Sequence, residues 1–158
     1  MPKASNTPIW VKLGRIAKLN MPTALESAQH VLQTQPFSVL LAAQLTAFSA
    51  DCVEIRVPIT AQIKQQFGFV HGGVISYAAD NALTFAGGYA LGPNIVTSEF
   101  KINYVRPAKG ETLIARAQVV YAGQNQAVCR CDVFAVADGN ETLCAVAQGT
   151  IAAMRKAA

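Results

Sequence analysis

Apolar and polar positions follow a helical period near the N-terminus of this chain. Two short amphipathic helices are predicted there, over residues 8–19 and 23–33. The second begins with Thr23 and carries Glu26 three residues later, a capping-box pattern in which each residue bonds the other's backbone N–H. Residues 37–47 are rich in leucine and alanine, and their periodicity allows either a strand or a helix.

Strict alternation of apolar and polar residues begins at residue 52 and indicates half-buried strands. In residues 52–57, Glu54 and Arg56 share one face while three β-branched residues share the other. Further strands are predicted over residues 95–105, 112–122, 127–137 and 143–153. The turns between these four are short and contain glycine, which favours antiparallel pairing.

Residues 72–90 carry apolar side chains on almost every face of a predicted helix, so this helix should be buried on most sides. Its many alanines and glycines allow a sheet to approach closely. A wide antiparallel sheet needs a layer that covers its apolar face, and this helix is the one long apolar segment available. The pattern therefore predicts an α+β domain.

Length and composition narrow the class of protein. The 158 residues suffice for one domain with a substantial core. A content of 52% hydrophobic and 14% charged residues is apolar for a domain of this size, which indicates that further surface is buried in an oligomer. The net charge of +4 includes no run of lysine and arginine, so nucleic-acid binding is not expected.

The four cysteines lack metal-type spacing, and we expect them to be small buried side chains in a reducing cytosol. No segment reaches the roughly 18 consecutive apolar residues of a membrane span. The basic N-terminal segment is interrupted by asparagine and proline and lacks an apolar core with a cleavage site. We therefore expect a cytoplasmic protein, and nothing in the sequence requires a metal or other cofactor.

The long helix carries the candidate chemistry. His71, Gly72 and Gly73 open it, and glycines at a helix start leave N–H groups available to an anionic oxygen. Asp80 then lies within the apolar pattern, where an unpaired charge is costly to bury. Together they indicate an oxyanion site with an acid, base or nucleophile. A structural role for Asp80, as one member of a polar stripe, is the alternative.

The spacing of Gly72 and Asp80 predicts that the two residues serve different copies of the site. Eight positions of helix separate them by roughly 12 Å along the axis, whereas catalytic contacts need about 3 Å. If both act on one substrate, they come from different subunits. A two-fold dimer with neighbouring antiparallel helices would provide two such composite sites.

Residues 69–86 resemble the HGG-containing segment of the PaaI-like thioesterases of the hotdog superfamily, and residues 97–110 resemble that family's next strand and turn. The resemblance implies a hotdog fold, in which a curled antiparallel sheet of five to six strands wraps one long central helix, here about 72–90. Short N-terminal helices precede it. We expect a helical extension over residues 1–35 and a single hotdog domain over residues 36–158.

The resemblance also implies an activity and an assembly. The activity is hydrolysis of an acyl-CoA thioester to a free acid and coenzyme A, by a homodimer with shared sites that often pairs into a tetramer. Apolar residues such as Phe67, Phe69 and Phe85 suit a medium or long fatty acyl chain, although the family also includes aryl-CoA thioesterases.

The family's catalytic roles carry over by position. Asp80 matches the catalytic carboxylate, acting as general base on water or as the nucleophile. The Gly72 N–H would stabilise the oxyanion. Gln65 matches an Asn/Gln position near the reacting centre, and Thr97 a Ser/Thr position that bonds the carboxylate or the attacking water.

Adjacent residues leave two of these roles open, because a one-residue shift would transfer them to Gln66 and Ser98. The expected substrate-binding positions are His71, Gly73, Ser98, Arg106 and Gly123. His71 would hold the helix start. Arg106 and the Gly123 turn are either rim positions for the phosphates of coenzyme A or ordinary solvated residues.

Two other functions are compatible with the same fold. A hotdog dehydratase or hydratase needs a histidine–acid pair that is placed differently in the fold. His71 does not fit that placement, because it precedes a Gly-Gly helix start. A non-catalytic acyl-CoA-binding or regulatory module would keep the fold and make Asp80 a structural residue.

Overall fold

A computed structural model describes residues 22–154 of the chain, and the predicted helix over residues 8–19 lies outside them. The helices are α1 (Ala24–Gln33), α2 (Pro36–Leu40) and α3 (Gly72–Leu91), with a 3-10 turn at Ala61–Ile63. The strands are β1 (Gln44–Phe48), β2 (Val53–Pro58), β3 (Ile95–Tyr104), β4 (Thr112–Ala122), β5 (Gln126–Ala137) and β6 (Asn140–Ala153). None of these helices combines the length and apolar character needed to cross a membrane.

The strands form one six-stranded antiparallel sheet in the order β1-β2-β4-β5-β6-β3. The sheet curls around α3, so the predicted hotdog architecture is confirmed. The ambiguous segment 37–47 contains both alternatives, because α2 ends at a turn where Ala42 has φ 51° and β1 follows. The alternation predicted for residues 52–57 is also confirmed, with Glu54 and Arg56 paired at 2.8 Å on the outer face.

Helix α3 lies in the core because small residues let the sheet approach it. Its buried positions are Val74, Ile75, Ala78, Ala79, Ala82, Leu83, Phe85, Ala86 and Gly87. Gly87 is the tightest point, since a Cβ atom there would lie 2.5 Å from the Cβ of Ile151 on β6. The remaining face, with Tyr77, Asp80 and Thr84, is half-buried and forms an open stripe along the helix.

Helix α1 packs beside β1, at one edge of the sheet. The predicted capping box is present, with the Glu26 N–H donating to Thr23 Oγ1 at 3.2 Å and the Thr23 N–H donating to Glu26 Oε2 at 2.7 Å. Gln29 Nε2 donates to the Leu45 carbonyl at 2.9 Å. Gln33 Nε2 donates to the Ala43 carbonyl at 3.2 Å. The side chains of α1 therefore satisfy one carbonyl in the edge strand β1 and one just before it.

We expect Gly87→Ala to destabilise the fold by about 1–3 kcal/mol, because the added methyl overpacks the contact with Ile151. Urea unfolding measures the change. Gly88→Ala is the matched control: a Cβ there meets nothing nearer than 3.7 Å, from Ile95, and alanine is the better helix former. Equal stability of the two variants would contradict the role assigned to Gly87.

Candidate active site

The start of α3 leaves one backbone N–H free. His71 is the N-cap residue, and its Nδ1 accepts the Gly73 N–H at 3.0 Å. The His71 N–H in turn donates to the Ile63 carbonyl at 2.8 Å. Within residues 22–154 the Gly72 N–H donates to no protein acceptor. Gly72 therefore presents an unsatisfied donor at the positive end of the helix dipole. The Gly73 N–H is not available in the same way, because His71 accepts it.

A cavity of about 310 Å³ opens beside this helix end. It is lined by Gln65, Phe69, Val70, Gly72, Ile75, Tyr104, Val105, Arg106, Pro107 and Ala108. Gln65 rather than Gln66 lines it, and Gln65 Oε1 accepts the Phe67 N–H at 2.9 Å. Tyr104 donates its hydroxyl to the Gly72 carbonyl at 3.0 Å, which ties the helix start to β3. We call this space the helix-end cavity.

Asp80 lies two turns further along the open stripe, and hydroxyl groups hold it. Thr97 donates its hydroxyl to Asp80 Oδ1 at 2.8 Å. Thr84 Oγ1 lies 2.9 Å from Thr97 Oγ1 and 2.8 Å from the Asp80 carbonyl. Thr84 donates its hydroxyl to the Asp80 carbonyl, while Thr97 donates its own to the carboxylate. Oδ2 of Asp80 accepts no hydrogen bond within the described residues, which leaves it available to a substrate or water.

A β-bulge selects Thr97 for this contact. Thr97 pairs with Ile151 and Glu99 with Thr150, so Ser98 is an extra residue in β3. Ser98 is exposed, while Thr97 is half-buried against the helix. The structure thus brings Thr97, not Ser98, to the carboxylate.

The remaining candidate residues are not brought together within one chain. Gly72 and Asp80 are separated by two turns of α3, roughly 12 Å along its axis. Arg106 lines the helix-end cavity, whereas Gly123 lies in the β4–β5 turn at the opposite end of the sheet. The ten residues of β3 span about 30 Å between those ends. A single subunit therefore holds separate parts of the predicted site.

Thr84 is a site residue that the sequence analysis did not single out. Its spacing of four residues from Asp80 is the signal, because that spacing puts two side chains on one helix face. The link between Tyr77 and α2 was also missed: Tyr77 donates its hydroxyl at 2.6 Å to the fully buried Ser38. Burial raises the pKa of Tyr77 even though hydrogen bonds with Ser38 and Asn81 act to lower it.

None of the residues 22–154 forms a cluster of three or more histidine, cysteine, aspartate or glutamate side chains that could hold a metal ion. Cys129, Cys131 and Cys144 are buried and Cys52 is partly exposed, and all four thiols are free. The polar groups that the described residues bring to this site are the Asp80 carboxylate, the threonine hydroxyls and the Gly72 N–H.

Comparison with known proteins identifies the family. The model of the thioesterase superfamily matches residues 67–142. The structure of a thioesterase family protein from Silicibacter pomeroyi superposes with a TM-score of 0.76 at 31% identity, covering 79% of this chain and 93% of that one. The chain belongs to the thioesterase superfamily. It is a thioester hydrolase with the hotdog fold.

Other relatives of this thioesterase agree with that assignment. A putative esterase of Haemophilus influenzae is 27% identical over 127 residues, which are 79% of this chain and 85% of that protein. The 1,4-dihydroxy-2-naphthoyl-CoA hydrolase of Listeria monocytogenes is 23% identical over 65% of this chain and 82% of its own length. The Escherichia coli PaaI protein shares the fold, with a TM-score of 0.71 at 22% identity over 81% of this chain and 91% of its own. The resemblance to PaaI-like hotdog thioesterases is confirmed.

We expect Thr97→Val to reduce thioester hydrolysis by about 10-fold or more, because Asp80 loses the hydroxyl that orients its carboxylate. Thr97→Ser is the matched control and should retain most of the activity, since it keeps the donor. Steady-state kinetics on any hydrolysed thioester, with thermal unfolding of each variant, measures the effect. Full activity of a folded Thr97→Val protein would contradict the positioning role.

Proposed function

We propose that this thioesterase hydrolyses acyl-CoA thioesters, mainly of medium or long fatty acids, to the free acid and coenzyme A. The observation that carries the proposal is the Asp80 carboxylate, held at Oδ1 by Thr97 and free at Oδ2, on the open stripe of α3. A half-buried carboxylate with one committed oxygen and one available oxygen is suited to proton abstraction or to attack on a carbonyl carbon.

The proposed reaction needs two groups on opposite sides of the thioester. Asp80 Oδ2 takes a proton from water that attacks the carbonyl carbon, or attacks that carbon itself. The Gly72 N–H, at the positive end of the helix dipole, donates to the carbonyl oxygen as it becomes an oxyanion. When water attacks, the tetrahedral intermediate collapses to the free acid and expels the coenzyme A thiolate, which takes the proton that Asp80 removed from the water. When Asp80 itself attacks, the collapse expels the thiolate and leaves an acyl–Asp80 anhydride; water then hydrolyses the anhydride, which releases the free acid, restores the Asp80 carboxylate and supplies the thiolate's proton.

Helix geometry supports sites shared between two subunits. The carbonyl oxygen and the attacking atom flank one carbon, so Gly72 and Asp80 of a single α3 are too far apart to serve the same thioester. A two-fold dimer that lays two α3 helices side by side in opposite directions unites Gly72 of one chain with Asp80 of the other. β3 is an edge strand of the sheet with Val96 and Tyr104 exposed, which makes it a surface for such pairing. Two dimers could pair further into a tetramer.

The helix-end cavity is proposed to receive coenzyme A. Arg106 lines it, and Lys109 lies nearby with its Nζ 4.6 Å from the centre of the Phe69 ring. Cationic side chains at a rim attract the phosphates of coenzyme A. The name of the Listeria relative, a hydrolase of 1,4-dihydroxy-2-naphthoyl-CoA, supports a CoA thioester and also keeps an aryl-CoA substrate as the alternative. Gln65 at the same cavity is proposed to contact the reacting group.

We expect Asp80→Asn to lower kcat/KM for acyl-CoA hydrolysis by about 10²–10⁴-fold while acyl-CoA binding is retained, because the amide can neither accept the proton nor attack. Thiol release from acyl-CoAs of increasing chain length and from benzoyl-CoA measures activity, and calorimetry measures binding. Asp51→Asn in the exposed β1–β2 turn is the matched control. Binding without hydrolysis by the wild-type protein across the whole panel would support a non-catalytic module instead.

We expect Gly72→Pro to lower kcat by about 10²–10³-fold, because it removes a single oxyanion donor. Proline is favoured at the first position of a helix, and His71 already has the extended backbone, ψ 134°, that a residue before proline adopts. Gly72→Ala is the control, since it keeps the N–H and its Cβ makes an ordinary 3.5 Å contact with Tyr104.

Mixing the two inactive variants tests the shared site. A heterodimer of Gly72→Pro and Asp80→Asn chains contains one intact composite site, so a 1:1 mixture with free subunit exchange should recover about one quarter of wild-type activity. No recovery after exchange, verified by mass spectrometry, would place both groups in one subunit.

A further inference from the structure

A second cavity, apolar and larger than the helix-end cavity, lies at the other end of α3. It measures about 530 Å³, within the usual range of small-molecule sites. It is lined by Ala24, Ser27, Ala28, Val31, Gln35, Phe48, Thr84, Phe85, Gly88, Tyr89, Pro93 and Ile95. None of these lining side chains is charged. We call this space the apolar cavity.

The apolar cavity begins where the candidate carboxylate is held. Thr84 lines it, and the same Thr84 hydroxyl lies 2.9 Å from Thr97 Oγ1 and 2.8 Å from the Asp80 carbonyl. Gly88, one turn further along the same face of α3, also lines the cavity. The open stripe of α3 therefore leads directly from the Asp80 carboxylate into hydrocarbon surroundings.

The walls of the apolar cavity are fixed by contacts of their own. Phe48 packs edge to face against Tyr89, with ring centres 5.2 Å apart, and against Phe85 at 6.2 Å. Helix α1 supplies Ala28 and Val31, and the two glutamine bonds to carbonyls beside and in β1 hold that helix in place. A cavity with preformed apolar walls binds hydrocarbon without a large ordering cost.

We propose that the apolar cavity holds the hydrocarbon chain of the acyl group and that α1, chiefly through Val31, sets the chain length. The inference rests on acyl-CoA hydrolysis at Asp80, because it places the thioester carbon there and runs the chain past Thr84. The uncharged lining rejects the phosphates of coenzyme A and any carboxylated acyl group, because burying an unpaired charge is unfavourable. Helix α1, which lies within the expected N-terminal extension, thereby acquires a role in substrate selection.

The test measures binding of saturated acyl-CoAs, from acetyl to palmitoyl, to the Asp80→Asn protein by calorimetry. Each methylene buried in the cavity should tighten Kd by up to about fourfold until the cavity is full, after which Kd levels off. Val31→Trp fills the cavity and should move that plateau to shorter chains while leaving acetyl-CoA binding unchanged. Val39→Trp is the matched control, because Val39 is 51% exposed on α2 and Val31 is 48% exposed on α1.

Tyr89→Ala provides the reciprocal change, since loss of the ring enlarges the cavity and should move the plateau to longer chains. The same shifts should appear in the chain-length profile of hydrolysis when the variants carry the wild-type Asp80. A Kd that does not depend on chain length would overturn the proposal. So would chain-length profiles that neither Val31→Trp nor Tyr89→Ala shifts, in a protein that does hydrolyse acyl-CoA. Either result would assign the cavity to another occupant, such as a second copy of the chain. Tighter binding of benzoyl-CoA than of every aliphatic thioester would also overturn it. Absence of hydrolysis in the wild-type protein would instead refute the proposed function.

Discussion

The close approach of α3 to the sheet is the constraint on which the rest of the structure depends. Gly87 and the buried alanines let the helix sink into the curl of the sheet, so that a Cβ on Gly87 would collide with Ile151. Only one stripe of α3 then stays out of the hydrocarbon core. Asp80 lies on that stripe, and the same closeness brings Thr97 of β3 within hydrogen-bonding distance of it. The packing that stabilises the fold therefore also positions the carboxylate.

The length of α3 has a second consequence, because one continuous helix separates the two groups that the proposed reaction needs together. The free Gly72 N–H lies at its start and Asp80 lies two turns on, and no rotation of side chains closes that distance. The two cavities also lie at different ends of α3: the helix-end cavity is at Gly72 and the apolar cavity is beyond Thr84. A second subunit in the opposite direction would join complementary halves, which agrees with the proposed dimer and with the apolar composition of the chain.

Much of the fold could be predicted because its signals are local. Alternation located β2 to β6 within a few residues, the Thr23–Glu26 capping box located α1, and the apolar pattern located α3. Local signals were insufficient at residues 37–47, where a left-handed turn at Ala42 divides a helix from a strand. Periodicity cannot reveal such a turn in a segment that is mostly apolar, since the backbone conformation depends on what packs around it.

The site was less predictable, because contacts between distant elements decide which of two neighbouring residues belongs to it. The choice between Thr97 and Ser98 depends on a bulge in the pairing of β3 with β6, which a single strand's sequence does not encode. Gly72 rather than Gly73 keeps a free N–H because the His71 ring is oriented to accept the Gly73 N–H. The sequence does not encode that ring orientation.

The alternative to catalysis is a purely structural role for Asp80, and the hydrogen bonds of its two carboxylate oxygens argue against it. A carboxylate kept only for stability would be expected to have both oxygens satisfied, since a half-buried charge is stabilised by every donor that reaches it. Thr97 supplies one donor to Oδ1, while Thr84 reaches only Thr97 and the backbone carbonyl of Asp80. An arginine or lysine at the site would have completed the pairing, yet the described residues place no cation there. A carboxylate that Thr97 orients and no described cation neutralises, one helical turn from the Thr84 that lines the uncharged cavity, favours the proposed catalytic role over a purely structural one.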